Sequence, residues 1–470
     1  MSLRKLHQKA GIIAGLFLLI LGLTGFFLNH DQWKFQYDWT LPNSMLPEAV
    51  AEADKKLFQT KTVKPDNPNW IIVGGLRGLF ISLNGGESYQ KRSGLQFYAL
   101  TWLGQALYAA TNNGILCSPD GGISWQPIAL QGQWVNALAT DGKHLLASVD
   151  KSKLVLLNAQ GKVLKESAIE LPSSELSDSI TLSRFVRDFH YGRGFLDDGW
   201  SLLLNDIATW IMLFSALTGA FIWWSLKQAR ASKQASKEKV QRIKKVMSAH
   251  SHGLVLLAIP FLVLLAITGI ILDHSKFFNP YLKEISWSQS TLPPVYKTLR
   301  EDIWAVDIET DFDDQRIYRI GNRYGVYESY DLQSWEKVSD GFAYRMKRLD
   351  DTLYVSGMGS SPRSYNPETG WQEIKAPGMF RDAYQSEEEL VFFGGHGKTD
   401  KQVPVLETST FYSMMLTLHD GTFFADWWVW VNDFASVLLI LLLITGVLRW
   451  RKKQRGFAKL FRASLINKVK

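Results

Sequence analysis

LTGFFLNH, Leu23–His30, closes the first apolar run of the chain and returns as ITGIILDH, Ile267–His274, at the close of the third. Thr24, Gly25, Asn29 and His30 fall on Thr268, Gly269, Asp273 and His274 at a constant offset of 244. The second and fourth runs match at an offset of 227: Trp200, Asn205, Asp206, Ala208, Thr218, Gly219 and Trp223 fall on Trp427, Asn432, Asp433, Ala435, Thr445, Gly446 and Trp450. Upstream of each, FHYGRGF (189–195) resembles LHDGTFF (418–424) once two residues are gapped. The chain is therefore a duplicated unit of span, outside segment and span, with both copies in the same orientation. Thr and Gly in the runs are read as close-packing residues, and Gly11-x-x-x-Gly15 fits that use.

The four runs are Gly11–Leu28, Ile207–Leu226, Gly253–Leu272 and Phe434–Trp450, the last extended by Trp427–Val431. A helix of about 20 apolar residues crosses a bilayer with its backbone groups paired. The first run resembles a secretory leader, but no A-x-A-like site follows, so it is read as a retained anchor. Charge gives the sidedness. The 52 Lys and Arg against 45 Asp and Glu leave +7, yet residues 1–9, 227–245 and 449–470 hold 20 of the bases and one acid, Glu238. The remainder is acidic, which argues against a nucleic-acid partner and for a membrane topology. The positive-inside rule places both termini and the basic loop in the cytoplasm of a bacterial inner membrane, against lipid headgroups.

The expected organisation is a cytoplasmic tail and first span (1–30), a β segment (31–183), an interfacial histidine segment and second span (184–226), and a basic loop (227–249). The third span (250–274), a second β segment (275–410), a second interfacial segment with the fourth span (411–450) and a basic tail (451–470) follow. Both β segments alternate aromatic and β-branched residues with turn residues every 8–12 positions, which reads as all-β and periplasmic. Ser82-x-Asn84-x-Gly86-x-x-Tyr89 and Ser118-x-Asp120-x-Gly122-x-x-Trp125 resemble the Asp-box, a turn motif of propellers, with degenerate cousins at 329–335 and 364–371. A period in the mid-thirties to low forties suits a four-stranded blade. Three blades are expected before the second span (68–96, 97–130, 132–168) and three after the third (303–340, 341–376, 378–408). Three blades cannot close, so the two segments are expected to join in one propeller-like domain of about six. The fold class is thus a membrane protein, α + β, with four transmembrane helices and an all-β domain. Asp-boxes stabilise turns, and no sialidase activity is inferred.

Cys117 is the only cysteine, which excludes an intramolecular disulfide, C-x-x-C-H haem attachment and cysteine-ligated iron–sulfur clusters. Seven of nine histidines lie at span ends: His7, His250 and His252 on the cytoplasmic side, and His30, His190, His274 and His419 outside. Polar groups at such depth are costly and usually functional. Neutral imidazoles on facing helices can supply two axial ligands to one porphyrin. Zinc fits less well, since no H-x-x-x-H or H-x-x-E pattern accompanies them. Asn205, Asp206, Asn432 and Asp433 suit helix capping, interhelical hydrogen bonding or a proton role.

RKLHQKAG with a following LTG, the HxG element before the second span, and N-D with a following LTGxxxWW resemble the PepSY-associated transmembrane family, over roughly a third of the chain. That family includes inner-membrane reductases that release iron from siderophores through b-type haems. The resemblance implies two haems b. His7 with His250 or His252 would serve the cytoplasmic one, since His7 falls opposite Ser251. His30, His190, His274 and His419 would serve the periplasmic one, with room for more than one haem. No PepSY domain is recognisable outside the membrane. The function expected is electron transfer from a cytoplasmic or quinol donor to a periplasmic acceptor, a ferric siderophore or a redox protein, which would make the chain a transmembrane oxidoreductase. No G-x-G-x-x-G or P-loop indicates a nucleotide site. The alternatives are a non-enzymatic anchored propeller for docking or sensing, and a proton-coupled transporter.

Overall fold

A computed structural model describes residues 2–169, 179–193, 196, 198–231, 236–288, 302–310, 315–386, 389–395 and 402–468. Two compact units emerge. One comprises 1–36, 181–295 and 411–470, the other 37–180 and 296–410.

The first unit is helical. Four helices are long and apolar enough to cross a membrane: Leu3–Asn29, Gly199–Ala229, Val255–Asp273 and Asp426–Lys452. They pack in a ring, first against second, second against third, third against fourth and fourth against first. Small residues sit where helices meet: Ala10, Ala14 and Ala266 pack with Leu18, Leu438 and Leu439. A methyl at Gly22 would lie 2.7 Å from Met212 Cε, which marks close approach of the first two spans. The Gly11/Gly15 motif is only half used. A methyl at Gly11 would meet Leu442 Cδ2 at 3.6 Å, whereas one at Gly15 would find no atom of the described residues within 4 Å. Two shorter helices precede the second and fourth spans, Leu182–His190 and Phe411–Asp420. The first packs on the third span and the second on the first span, so each contacts the other repeat.

The second unit is a ring of sheets built from both β segments. Five antiparallel four-stranded sheets run in simple sequence order. Their first strands are Phe58–Lys64, Phe97–Leu103, Val135–Thr140, Ala305–Thr310 and Arg345–Leu349, and a sixth sheet starts with Asp382–Gln385. These six strands are neighbours in that order, and the sixth packs against the first, so the ring closes. Apolar cores lie between successive blades: Ile72, Leu79, Phe97 and Leu107 between the first two, then Tyr108, Ile115, Val135 and Val155. Val326, Ala343, Leu353 and Val355 do the same between the fourth and fifth. Two seams tie the segments together. At one, Asn136 Nδ2 donates to the Ile303 carbonyl (2.9 Å), Ser167 Oγ to Leu332 O (2.7 Å), and Lys151 Nζ sits 3.4 Å from the Trp304 ring centre. At the other, the buried Asp382 carboxylate accepts from Thr60 Oγ1 and from the Lys61 amide (3.2 Å), with Lys347 Nζ at 3.3 Å.

The expected start of the first blade needs correction. The first blade starts at Phe58, not 68, because Lys61 is wholly buried under the Tyr384 ring and near Gln402. The sixth blade shows two strands among the described residues. The segment expected to be all-β also holds a helix, Glu48–Lys55.

The Asp-boxes occupy one position, the turn between third and fourth strands. Ser118 Oγ donates to Asp120 Oδ1 (2.7 Å) and accepts from the Gly122 amide (2.6 Å). Ser82/Asn84 and Ser329/Asp331 repeat the pattern. Leu332 takes φ +62°, the place that Gly121 fills with φ +72° in its cousin. Amide donation from Ser334 and Gln333 holds the Asp331 carboxyl down to about 2. Against an unfolded value of about 3.9, its stabilisation is fully present above that value and lost as pH falls toward 2.

Asp382→Ala should lower the stability of the β unit by about 1–3 kcal/mol, since Thr60 and the Lys61 amide lose a buried acceptor. Asp331→Ala, on an exposed turn, should cost less. Thermal unfolding of both variants checks this, and an equal or reversed order would refute the closure role of Asp382.

Candidate functional site: two histidine pairs

Within the helical unit the interfacial histidines fall into two arrangements. In the first, imidazoles face one another in pairs. The His7 and His250 ring centres are 6.4 Å apart at 70°, and those of His190 and His419 are 6.2 Å apart at 54°. His7 stands near the start of the first span and His250 just before the third, which puts this pair at the face holding the chain ends. His190 closes its short helix and His419 stands one residue before the end of its own, at the opposite face.

Each of the four rings rests on a Thr-Gly dipeptide. His7 Nδ1 lies 2.8 Å from Thr445 Oγ1, His250 Nδ1 2.9 Å from Thr218, His190 Nδ1 3.0 Å from Thr268 and His419 Nδ1 2.9 Å from Thr24. The next residue in each case is glycine, and a Cβ there would reach the ring. It would lie 3.2 Å from His419 Cε1 at Gly25, 3.4 Å from His190 at Gly269, 3.6 Å from His250 at Gly219 and 3.8 Å from His7 at Gly446. The seating is crossed: a histidine of one repeat always sits on a Thr-Gly of the other.

In the second arrangement, histidine meets aspartate inside one repeat. His30 Nδ1 donates to the Phe26 carbonyl (2.9 Å) while Nε2 lies 3.4 Å from Asp206 Oδ2. His274 Nε2 lies 2.6 Å from Asp433 Oδ2. The other oxygen of each carboxylate is buried without a hydrogen-bond partner among the described residues. Indoles flank both rings, Trp33 at 4.3 Å from His30 and Trp430 at 4.7 Å from His274. Asn432 Nδ2 donates to the His419 carbonyl (2.9 Å), capping the helix that presents that ring. A methyl on Gly192, which turns the chain after His190 at φ +68°, would lie 3.0 Å from Asn205 Nδ2. Asn and Asp of each N-D element thus do different work.

The set of seven expected from the sequence is therefore divided. His7, His250, His190 and His419 are brought together in pairs. His30 and His274 face carboxylates, and His252 lies exposed beyond the helix Lys237–His250. Between the neighbours, it is His250 that meets His7. The four threonines were read only as packing residues; the available signal was that Thr-Gly occurs once per span, matching four histidines. Among the described residues no group of three or more His, Cys, Asp or Glu could hold a metal by itself.

The chain belongs to the PepSY-associated TM region family, whose model matches residues 4–453. No curated protein matches it. Similar solved structures include the extracellular domain of a putative one component system from B. thetaiotaomicron, 12% identical over 72% of this chain and 31% of that one, with a TM-score of 0.32. The Dos1 propeller is 9% identical over 74% of each chain, with a TM-score of 0.32. The chain spans about a third of the length of the first of these. All these scores are low, and the propeller assignment rests on the strand order and ring closure described above.

Asp433→Ala should destabilise the helical unit by about 1–3 kcal/mol, leaving a partly buried imidazole without its acceptor. Asp206→Ala should cost less, its contact being longer. Thermal unfolding in detergent tests the order; two equal effects would mean that the contact lengths carry no energetic difference.

Proposed function

We propose that this member of the PepSY-associated TM region family is an electron-transfer protein of a bacterial inner membrane, holding one b-type haem between His7 and His250 and one between His190 and His419. The ring spacing supports the reading. An imidazole with sides of about 1.33 Å has its centre about 1.1 Å from each nitrogen. With metal–nitrogen bonds of about 2.0–2.1 Å, two imidazoles opposed across one metal have centres about 6.3 Å apart. The pairs stand at 6.4 and 6.2 Å. Two nitrogens per site suit a metal whose remaining ligands come from its own macrocycle, whereas zinc asks the protein for three or four.

Bound haem supplies a one-electron couple, with its potential set by axial ligand, burial and charge. The chain's own part is to hold the rings apart at a fixed separation and to keep one site near each face. His7 and the Thr24 seat of His419 are seventeen residues apart on the first span, about 25 Å of helix, against a core of about 30 Å. The direction proposed runs from a cytoplasmic or quinol donor at the face of the chain ends to a periplasmic acceptor at the other, a ferric siderophore or a redox protein. The basic segments support that orientation.

Protein purified after expression with haem available should be red, with b-type reduced-minus-oxidised bands and two haems per chain. His7→Ala and His190→Ala should each remove about half the absorbance, the surviving half reporting a folded chain. His30→Ala and His274→Ala should keep both haems. A colourless preparation, or loss confined to the His30 and His274 variants, would refute the assignment.

A further inference from the structure

We infer that Thr24, Thr218, Thr268 and Thr445 are positioning residues that decide which nitrogen each paired histidine offers to a metal; this rests on the haem reading above. Proton counting leads there. A threonine hydroxyl has one hydrogen. In all four residues it is donated to the carbonyl one turn back, that of Ile20, Phe214, Leu264 and Leu441, at 2.7–2.8 Å. What faces the imidazole is therefore a lone pair. Nδ1, at 2.8–3.0 Å from it, must be the donor. A neutral imidazole carries one N–H, so Nε2 is left with its lone pair free.

Helix chemistry alone does not call for this. A threonine inside an apolar helix is already satisfied by its back-bond to the carbonyl and needs no histidine. Here the back-bonds of Thr24, Thr218, Thr268 and Thr445 are each paired with an imidazole, and each of these threonines is followed by a glycine that leaves the ring room. The glycine contacts tighten from 3.8 and 3.6 Å at the face of the chain ends to 3.4 and 3.2 Å at the other. A side chain at Gly25 would press on Cε1, the carbon between the two nitrogens of His419, and tilt the ring away from Thr24.

A ligand imidazole whose second N–H is held by an acceptor is fixed in rotation and made more basic, and removal of such a partner costs about 10–100-fold in metal affinity. Threonine to valine keeps the shape of the residue and deletes the hydroxyl, both the acceptor facing the imidazole and the back-bond to the carbonyl, while serine restores both. The experiment uses the full-length haem-loaded protein in detergent, as wild type, Thr24→Val, Thr24→Ser, Thr445→Val and Thr445→Ser. Two quantities are read for each haem: the rate of loss to an excess haem scavenger, and the low-spin ferric EPR signal.

Thr24→Val should speed loss of one haem about 10–100-fold and move its EPR signal, with the other haem unchanged as an internal reference. Thr445→Val should do the same to the other haem, and both serine variants should resemble wild type. Two haems with unchanged loss rates and EPR signals in both valine variants would overturn the inference and leave the haem assignment standing. Equal disturbance of both haems by either valine variant would also overturn it, as a general loosening of the bundle. A colourless wild type would overturn both.

Discussion

The helical unit depends on one bond made four times, from an imidazole Nδ1 to a threonine oxygen whose own hydrogen is already engaged with the helix backbone. Because each bond joins a histidine of one repeat to a threonine of the other, the repeats cannot separate without breaking all four. The short helices Leu182–His190 and Phe411–Asp420 follow from this requirement. They carry His190 and His419 across to the third and first spans, which spans two and four would otherwise not present to them.

The β unit obeys a parallel constraint. Neither segment has enough blades to close a ring, so each must find the other, and the seams carry polar groups that take hydrogen bonds from the partner segment. Asp382, buried with two donors from the first blade, belongs to the last blade of the ring. Arg319, among the most buried side chains, is held by Asp307, Glu309 and Glu328. Burial alone would raise the Asp307 carboxyl, but Arg348 and then Arg319 outweigh it and keep it below the usual carboxylate range. Stability from that carboxylate is present above its unfolded value and fades on acidification through the lower folded one.

The spans, the duplication, the blade period and the joining of two segments were legible because each is a periodic property of apolar residues or turns. The limits of the first blade were not, since Lys61 breaks the apolar pattern and its burial depends on Tyr384 and Gln402, more than 300 residues away. The histidines were legible as a set through their places at span ends. Their partition was not, because which imidazole meets another and which meets a carboxylate depends on how the helices rotate about their axes. The threonines were hidden by their plainest property, since a small residue beside glycine in a membrane helix already has a sufficient reason to be there.

With crossed seating, a chain of half this length could not seat its own histidines. A single repeat contains one histidine and one Thr-Gly seat for each face, but never a histidine together with its own seat or its facing ring. Two copies of such a half related by a twofold axis would complete both pairs on the axis, and their three-bladed segments would supply a six-bladed ring. In such a dimer both rings of a pair would be identical. Joining the halves in one chain removes that identity, so that the surroundings of His7 and His250, and those of His190 and His419, can differ.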